Sequence, residues 1–109
     1  MELDRLLVLI TAPSKEIGED IAKVLVEKKL AACVNLMAPV RSIYTWEGEI
    51  NQDDEVLLMV KSRANLFDKE LVPTVKALHP YDVPEIIAVP ILMGSTDYLS
   101  WMDQETRRP

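Results

Sequence analysis

Glu55-Val56-Leu57-Leu58-Met59-Val60-Lys61 is the stretch on which the fold of this chain turns. Five unbroken apolar residues between two charged ones have the length of a strand, and a run without polar alternation predicts cover on both faces. Leu6-Leu7-Val8-Leu9-Ile10 has the same character and is closed by Thr11-Ala12-Pro13-Ser14. Two further strand candidates differ from these. Ala31 to Trp46 contains Pro39, and Glu85 to Leu92 contains Pro90. Proline cannot donate to a ladder and is tolerated at sheet edges. The first and third strands are therefore expected in the centre, the second and fourth at the edges.

Helical segments fill the gaps. Ser14 is placed to cap a helix with Glu16 near its positive end, and Ile17, Ile21, Val24, Leu25 and Leu30 mark its apolar stripe. It should end near Lys29 or Leu30. A second helix is predicted from Asn65, with Phe67, Leu71, Val75 and Leu78 at helical spacing. Pro73 inside it predicts a distortion, since an interior proline costs about 3 kcal/mol. Ser95 should cap a short last helix with Tyr98, Trp101 and Met102 on one face. Glu47-Gly48 is a two-residue hairpin turn, and Asn51-Gln52-Asp53-Asp54 should interrupt the return strand as a bulge or bend. The order strand, helix, strand, strand, helix, strand is an α+β split βαβ arrangement: a four-stranded antiparallel sheet with helices on one face, a long hairpin between strands two and three, and a short C-terminal helix.

The 109 residues make one domain, spanning positions 1–109, with 49 % hydrophobic and 28 % charged residues, as in soluble globular proteins. A net charge of -6 with scattered cations, Arg107-Arg108 being only a tail pair, excludes a nucleic-acid footprint. No run reaches membrane-spanning length, and Met1-Glu2-Leu3-Asp4-Arg5 does not resemble a signal peptide. A lone cysteine, Cys33, suits a reducing compartment, so the expected location is the cytoplasm. The hairpin from Ala31 to Lys61 would outrun its covering helices, leaving Ile43, Tyr44, Trp46 and Ile50 on a projecting ribbon. Such edges and apolar groups favour self-association, although the ribbon could also curl onto its own core.

Leu78-His79-Pro80-Tyr81-Asp82-Val83-Pro84-Glu85-Ile86 is the candidate site segment. Its two prolines stiffen the connector and fix the only histidine, a tyrosine and two carboxylates in place. The bland reading is a rigid link whose Tyr81 packs on the core; the sharper one is a wall of a binding site.

Three segments together resemble one family: Leu30-Ala31-Ala32-Cys33-Val34-Asn35, then Ser42-Ile43-Tyr44-Thr45-Trp46-Glu47-Gly48-Glu49-Ile50, then the connector just quoted. With Thr11-Ala12-Pro13 and Asp97-Tyr98-Leu99-Ser100-Trp101, the chain resembles the CutA family of divalent-cation tolerance proteins from about Leu6 to the last helix. The resemblance implies a ferredoxin-like fold, a homotrimer joined through strand edges, and a role in tolerance to copper and other divalent metals. It also implies a shape similar to the trimeric nitrogen-regulatory signalling proteins, whose effectors bind between subunits; likeness of shape does not carry function.

The residues divide the function classes. Some family members have a cysteine ending strand one and a second histidine before the His-Pro-Tyr step, where this chain has Ile10 and Leu78. His79 alone remains as a metal ligand, with Asp82 or Glu85 as possible helpers. Any copper or other divalent cation should then be held weakly, far from the four ligands of a structural zinc site. Proton competition should weaken it at about pH 6 to 7, where an ordinary imidazole titrates. Cys33 is more readily a small buried residue than a ligand. Three glycines without a phosphate loop and one histidine without a serine or cysteine partner argue against an enzyme. The alternative to metal tolerance is a trimeric small-molecule sensor or adaptor. Its binding residues would be Trp46, Glu47, Lys61, Tyr81, Glu85, Tyr98 and Trp101, aromatic and polar groups of the kind that line effector pockets.

Overall fold

The computed structural model describes residues 3–106; Met1-Glu2 and the Arg107-Arg108 pair lie outside them. The sheet runs β2 (Cys33–Trp46), β3 (Glu49–Arg63), β1 (Arg5–Ala12), β4 (Ile86–Pro90), all neighbours antiparallel. The apolar strands are central and the proline-bearing strands are at the edges, as their sequences require. β1 and β3 align Val8 with Val60, Ile10 with Leu58 and Ala12 with Val56, and these six are at most 4 % exposed. Helix α1 (Lys15–Glu27) packs Ile21 and Leu25 onto this layer, and its N-terminus is held by Ser14 Oγ, which accepts from Ile17 N–H at 3.2 Å. A Cβ on Gly18 would stand 3.3 Å from side-chain carbons of both Leu36 and Leu58, so the missing side chain lets α1 lie close to the sheet.

The second helical segment is broken, as Pro73 demands. A short α2 (Ala64–Leu66) passes through a π turn (Phe67–Leu71) into α3 (Val72–Leu78), with Pro73 in its first turn, where its missing N–H does no harm. The extra residue of the π turn also changes which residues face inward. Leu66 is buried with Leu71 and Val75, a place the regular spacing gives to the partly buried Phe67, whereas Leu78 is 41 % exposed as the last residue of α3. A regular helical period does not survive a π turn.

The hairpin turn is as expected. Glu47 (φ 52°) and Gly48 (φ 81°) are both left-handed, the two-residue geometry that matches the twist of its strands. The expected interruption at Asn51–Asp54 is a correction: β3 is continuous, and the bulge lies across from it in β2. There Ala38 and Pro39, joined by a cis peptide, oppose a single residue between the Met37–Leu57 and Val40–Glu55 pairs. The polar Asn51–Asp54 run can stay in the ladder because this part of the ribbon has no third strand to bury it; Pro39 has no N–H to give and so breaks the register instead.

Cover on both faces is provided only in part by this chain. The residues alternating with the core (Leu7, Leu9, Leu57, Met59, Met37, Ile87, Val89) form the second face of the sheet. Helix α4 (Thr96–Glu105), capped by Ser95 Oγ, closes one end of it. Asp103 bonds Arg5 at 2.7 Å and Arg63 at 3.4 Å, and Met102 is fully buried, while Tyr98 and Trp101 remain 41 % and 42 % exposed. The rest of that face is open: Met37 and Ile87 are each 53 % exposed and Val89 is 44 % exposed.

Candidate functional site

Where the ribbon leaves the sheet, the connector after α3 comes back against it. His79 is the pivot. It follows α3 in an extended conformation imposed by Pro80, and its backbone N–H still closes the helix on Val75 at 2.9 Å. The imidazole turns inward to 7 % exposure. Its Nδ1 accepts from Tyr81 N–H at 3.1 Å, so the ring proton sits on Nε2 and is donated to the Thr11 carbonyl at 2.8 Å. The imidazole, expected as a metal ligand, is buried, with both nitrogens engaged by backbone of this chain. Its visible work is to fasten the connector to the end of β1 and to set Tyr81, whose ring lies 4.9 Å from its own.

Tyr81 carries the arrangement onward. Its hydroxyl donates to Glu55 Oε2 at 3.3 Å, and burial, followed by the negative charge of Glu55, raises the phenol pKa. Glu55 opens the apolar run of β3, lies opposite Val40 beyond the bulge, and is only 7 % exposed. Farther out on the ribbon, the Tyr44 hydroxyl donates to Asp53, a bond that pushes its pKa up to about 12. Together the ribbon, the end of β1 and the connector enclose a cleft of about 550 Å³, within the range of small-molecule sites. Trp46, Tyr81 and Glu85 of the expected binding set line it, joined by Tyr44, Glu55 and Asp82.

The other expected residues lie elsewhere. Glu47 occupies the turn and does not line the cleft. Lys61 donates to Asn35 on the second face, beside Cys33, at the opposite end of β3 from Glu55. The Tyr98 and Trp101 rings of α4 meet at a tilt of 46°, centroids 5.5 Å apart, with Tyr98 raised in pKa by burial and then by Cys33. Within one chain the expected set is thus two groups, with Glu47 apart from both. Glu55 was not among the sequence candidates because it looks like the polar start of a strand; its signal is parity, since it shares a face with Leu57 and Met59. Among the described residues no group of three or more His, Cys, Asp or Glu is arranged to hold a metal ion.

A split βαβ sheet with a ribbon running beyond its helices, and a His-Pro-Tyr connector folded against that ribbon, defines a small α+β protein of the ferredoxin-like class. The chain belongs to the CutA1 divalent ion tolerance protein family, whose model matches residues 6–105. It is 54 % identical over 99 residues to the divalent-cation tolerance protein CutA of Thermus thermophilus, covering 91 % of this chain and 95 % of that one. The solved structure of the Thermus thermophilus protein superposes with a TM-score of 0.91 at 51 % identity, over 94 % of this chain and 99 % of the other. CutA1 from Oryza sativa superposes with a TM-score of 0.93 at 44 % identity, over 97 % and 96 %. A structural relative at 44 % identity, from Archaeoglobus fulgidus, is described as periplasmic; its TM-score is 0.88 over 93 % of this chain and 97 % of that one. The chain spans about half the length of the plant and mammalian relatives, 56 % for the Arabidopsis thaliana protein and 54 % for the human one. Among the described residues no helix is long and apolar enough to cross a membrane.

Proposed function

We propose that this chain works as a non-enzymatic homotrimer in tolerance of, or response to, divalent metal ions, copper among them, through weak contact with the ion. The observation that carries the assembly is the open second face of the sheet. Met37 of β2 is half exposed, and so are Ile87 and Val89 of β4, a strand whose every residue is apolar. A patch of this kind marks an interface, and closed rings of identical copies cover such a patch on every subunit. Three copies are what the family resemblance implies. The lone cysteine supports a reducing, cytoplasmic setting.

Weak metal contact follows from the state of His79. To take an ion at Nδ1 the imidazole must release the Tyr81 N–H, and no second histidine stands by. Such a site competes with protons and with its own hydrogen bond, and water completes its coordination. The test is sedimentation at micromolar concentration together with copper titration at about pH 7.5 and about pH 5.5, on either side of ordinary imidazole titration. The expected outcome is a trimer mass with uptake that weakens at the lower pH and is lost in His79→Gln. A monomer mass removes the assembly. Undiminished uptake at low pH, or in His79→Gln, removes His79 from the metal site.

A second reading rests on the cleft of about 550 Å³ between ribbon and connector: a small-molecule sensor or adaptor whose effector sits beside Tyr81.

A further inference from the structure

His79 offers an ion one way in. A neutral imidazole has a single ring lone pair to give, and here it lies on Nδ1, because Nε2 carries the proton and donates it to the Thr11 carbonyl at 2.8 Å. Thr11 belongs to β1 and pairs with Leu57 of β3, while the His79 backbone N–H closes α3 on Val75 at 2.9 Å. Ring and backbone of His79 are thus tied to two regular elements. The group on Nδ1 is different. Tyr81 N–H, 3.1 Å away, belongs to the irregular connector between α3 and β4.

A metal–imidazole bond is about 2.0–2.1 Å long, so an ion on Nδ1 would crowd the place where the Tyr81 nitrogen stands. Turning the N–H aside is not enough; the residue has to back away. Tyr81 is held at its other end too. Its ring lies against the imidazole, centroids 4.9 Å apart, and its hydroxyl reaches Glu55 Oε2 at 3.3 Å, already long for an O–H···O bond. Among the described residues, the side-chain hydrogen bonds that residues 80–85 take part in both run through Tyr81. A displacement that frees Nδ1 therefore draws the hydroxyl off Glu55 as well. All of these bonds lie within one chain, so they hold whichever surfaces the partner subunits cover.

Resting on the reading of His79 as the ion contact, we infer that His79, Tyr81 and Glu55 form a two-position switch worked by the divalent ion. In the closed position Nδ1 holds the Tyr81 amide and Glu55 holds the phenol. In the open position the ion holds Nδ1, and Tyr81 has left both. Tyr81 is then a positioning residue that opposes the ion. By linkage, whatever loosens this brace raises the affinity for the ion, and the ion loosens the brace in return. Arrival of the ion becomes a movement of the connector, the kind of local change a response can be built on. If Tyr81 instead helped to hold the ion, the sign would be reversed.

The test uses zinc chloride, a diamagnetic divalent probe, on the intact isotope-labelled protein followed by NMR. His79 is the only histidine, so its ring nitrogens are unambiguous. Zinc is expected to shift Nδ1, leave Nε2 protonated, and speed solvent exchange of the Tyr81 amide by roughly tenfold or more. Tyr81→Phe keeps the N–H and the ring and removes only the hydroxyl. It should bind zinc roughly threefold to tenfold tighter, the worth of one hydrogen bond. The double variant Tyr81→Phe/His79→Gln should lose that gain. A zinc-shifted Nδ1 with an equally protected Tyr81 amide overturns the switch and leaves the ion contact in place. So does Tyr81→Phe binding zinc no tighter than the parent chain. A gain retained in the double variant belongs to the unmasked Glu55 carboxylate and overturns the switch too. Ring signals unmoved at millimolar zinc remove the ion contact, and the switch with it. The zinc response of the parent chain involves no substitution, so a folding defect in a variant does not rescue the proposal.

Discussion

His79 shows how one side chain can serve structure where its chemistry suggests something else. Removing it as His79→Ala leaves the Thr11 carbonyl and the Tyr81 N–H without their partners and opens a void at the end of β1. Two orphaned backbone groups and a small cavity should cost about 2–4 kcal/mol, read as a lowered midpoint in urea at unchanged slope. A loss under about 0.5 kcal/mol, the size of an ordinary surface substitution, would remove His79 as the fastening point. The tyrosines offer a second test at this scale. Tyr44 is lifted to about 12 by its bond to Asp53, and Tyr81 and Tyr98 are raised chiefly by burial. Because the folded values lie above those of the unfolded chain, these groups stabilise the fold fully below about pH 10, the ordinary phenol value. That contribution is lost as pH rises through the folded values, near 12 for Tyr44. Absorbance titration should show tyrosine ionising later in the folded protein than in denaturant, and Asp53→Asn should bring one tyrosine back toward its ordinary range.

The elements were legible where sequence and backbone speak the same language. Pro39 and Pro90 placed their strands at the edges through a missing N–H, and Ser14, Ser95 and Glu47-Gly48 marked caps and turn through local geometry. The errors fell where one element's irregularity acts on another. The Asn51–Asp54 run looked like an interruption of β3, yet Pro39 on the partner strand took the bulge. Phe67 fitted the helical stripe until the π turn brought Leu66 in, and Leu78 kept its phase with Leu71 and Val75 but, as the last residue of α3, stayed partly exposed. The candidate site was half legible for the same reason. Trp46, Tyr81 and Glu85 meet because connector and ribbon meet, but Glu55 enters only once the register of β2 on β3 is known. The hairpin turn allows a prediction on local conformation alone. Glu47 holds φ 52°, where asparagine is favoured over other non-glycine residues, so Glu47→Asn should stabilise the chain by about 0.5 kcal/mol. Gly48 holds φ 81° with open space around it, so Gly48→Ala should cost about 1 kcal/mol by strain alone. Thermal unfolding of the two variants should therefore move in opposite directions; shifts of the same sign would contradict the left-handed assignment of the turn.

At the scale of the whole molecule, the shape departs from that of a compact domain. The principal extents are 44 × 25 × 23 Å because β2 and β3 continue past β1 as a two-stranded ribbon. Isolated ribbons are marginal in water, and this one carries Ile43, Trp46 and Ile50 at 64 %, 52 % and 76 % exposure. The apolar runs Leu6–Ile10 of β1 and Val56–Val60 of β3 demanded two covered faces, and one chain covers one face and α4 an end of the other. Both deficits have the same remedy in partner subunits, with the second face and the ribbon buried together. Lysine at Ile87 or Val89 would put a charge into that contact while leaving the helix-covered core untouched, since neither residue belongs to it. Ile87→Lys should therefore dissociate the assembly, and Trp46→Ala should weaken it, because buried aromatic anchors carry a large share of interface energy, often about 2 kcal/mol or more. Phe67→Ala alters a residue packed against the subunit's own core and should lower stability with less effect on association. Sedimentation velocity over a dilution series is the measurement. Ile87→Lys sedimenting like the parent chain at every concentration would show that the open face is not where the copies meet.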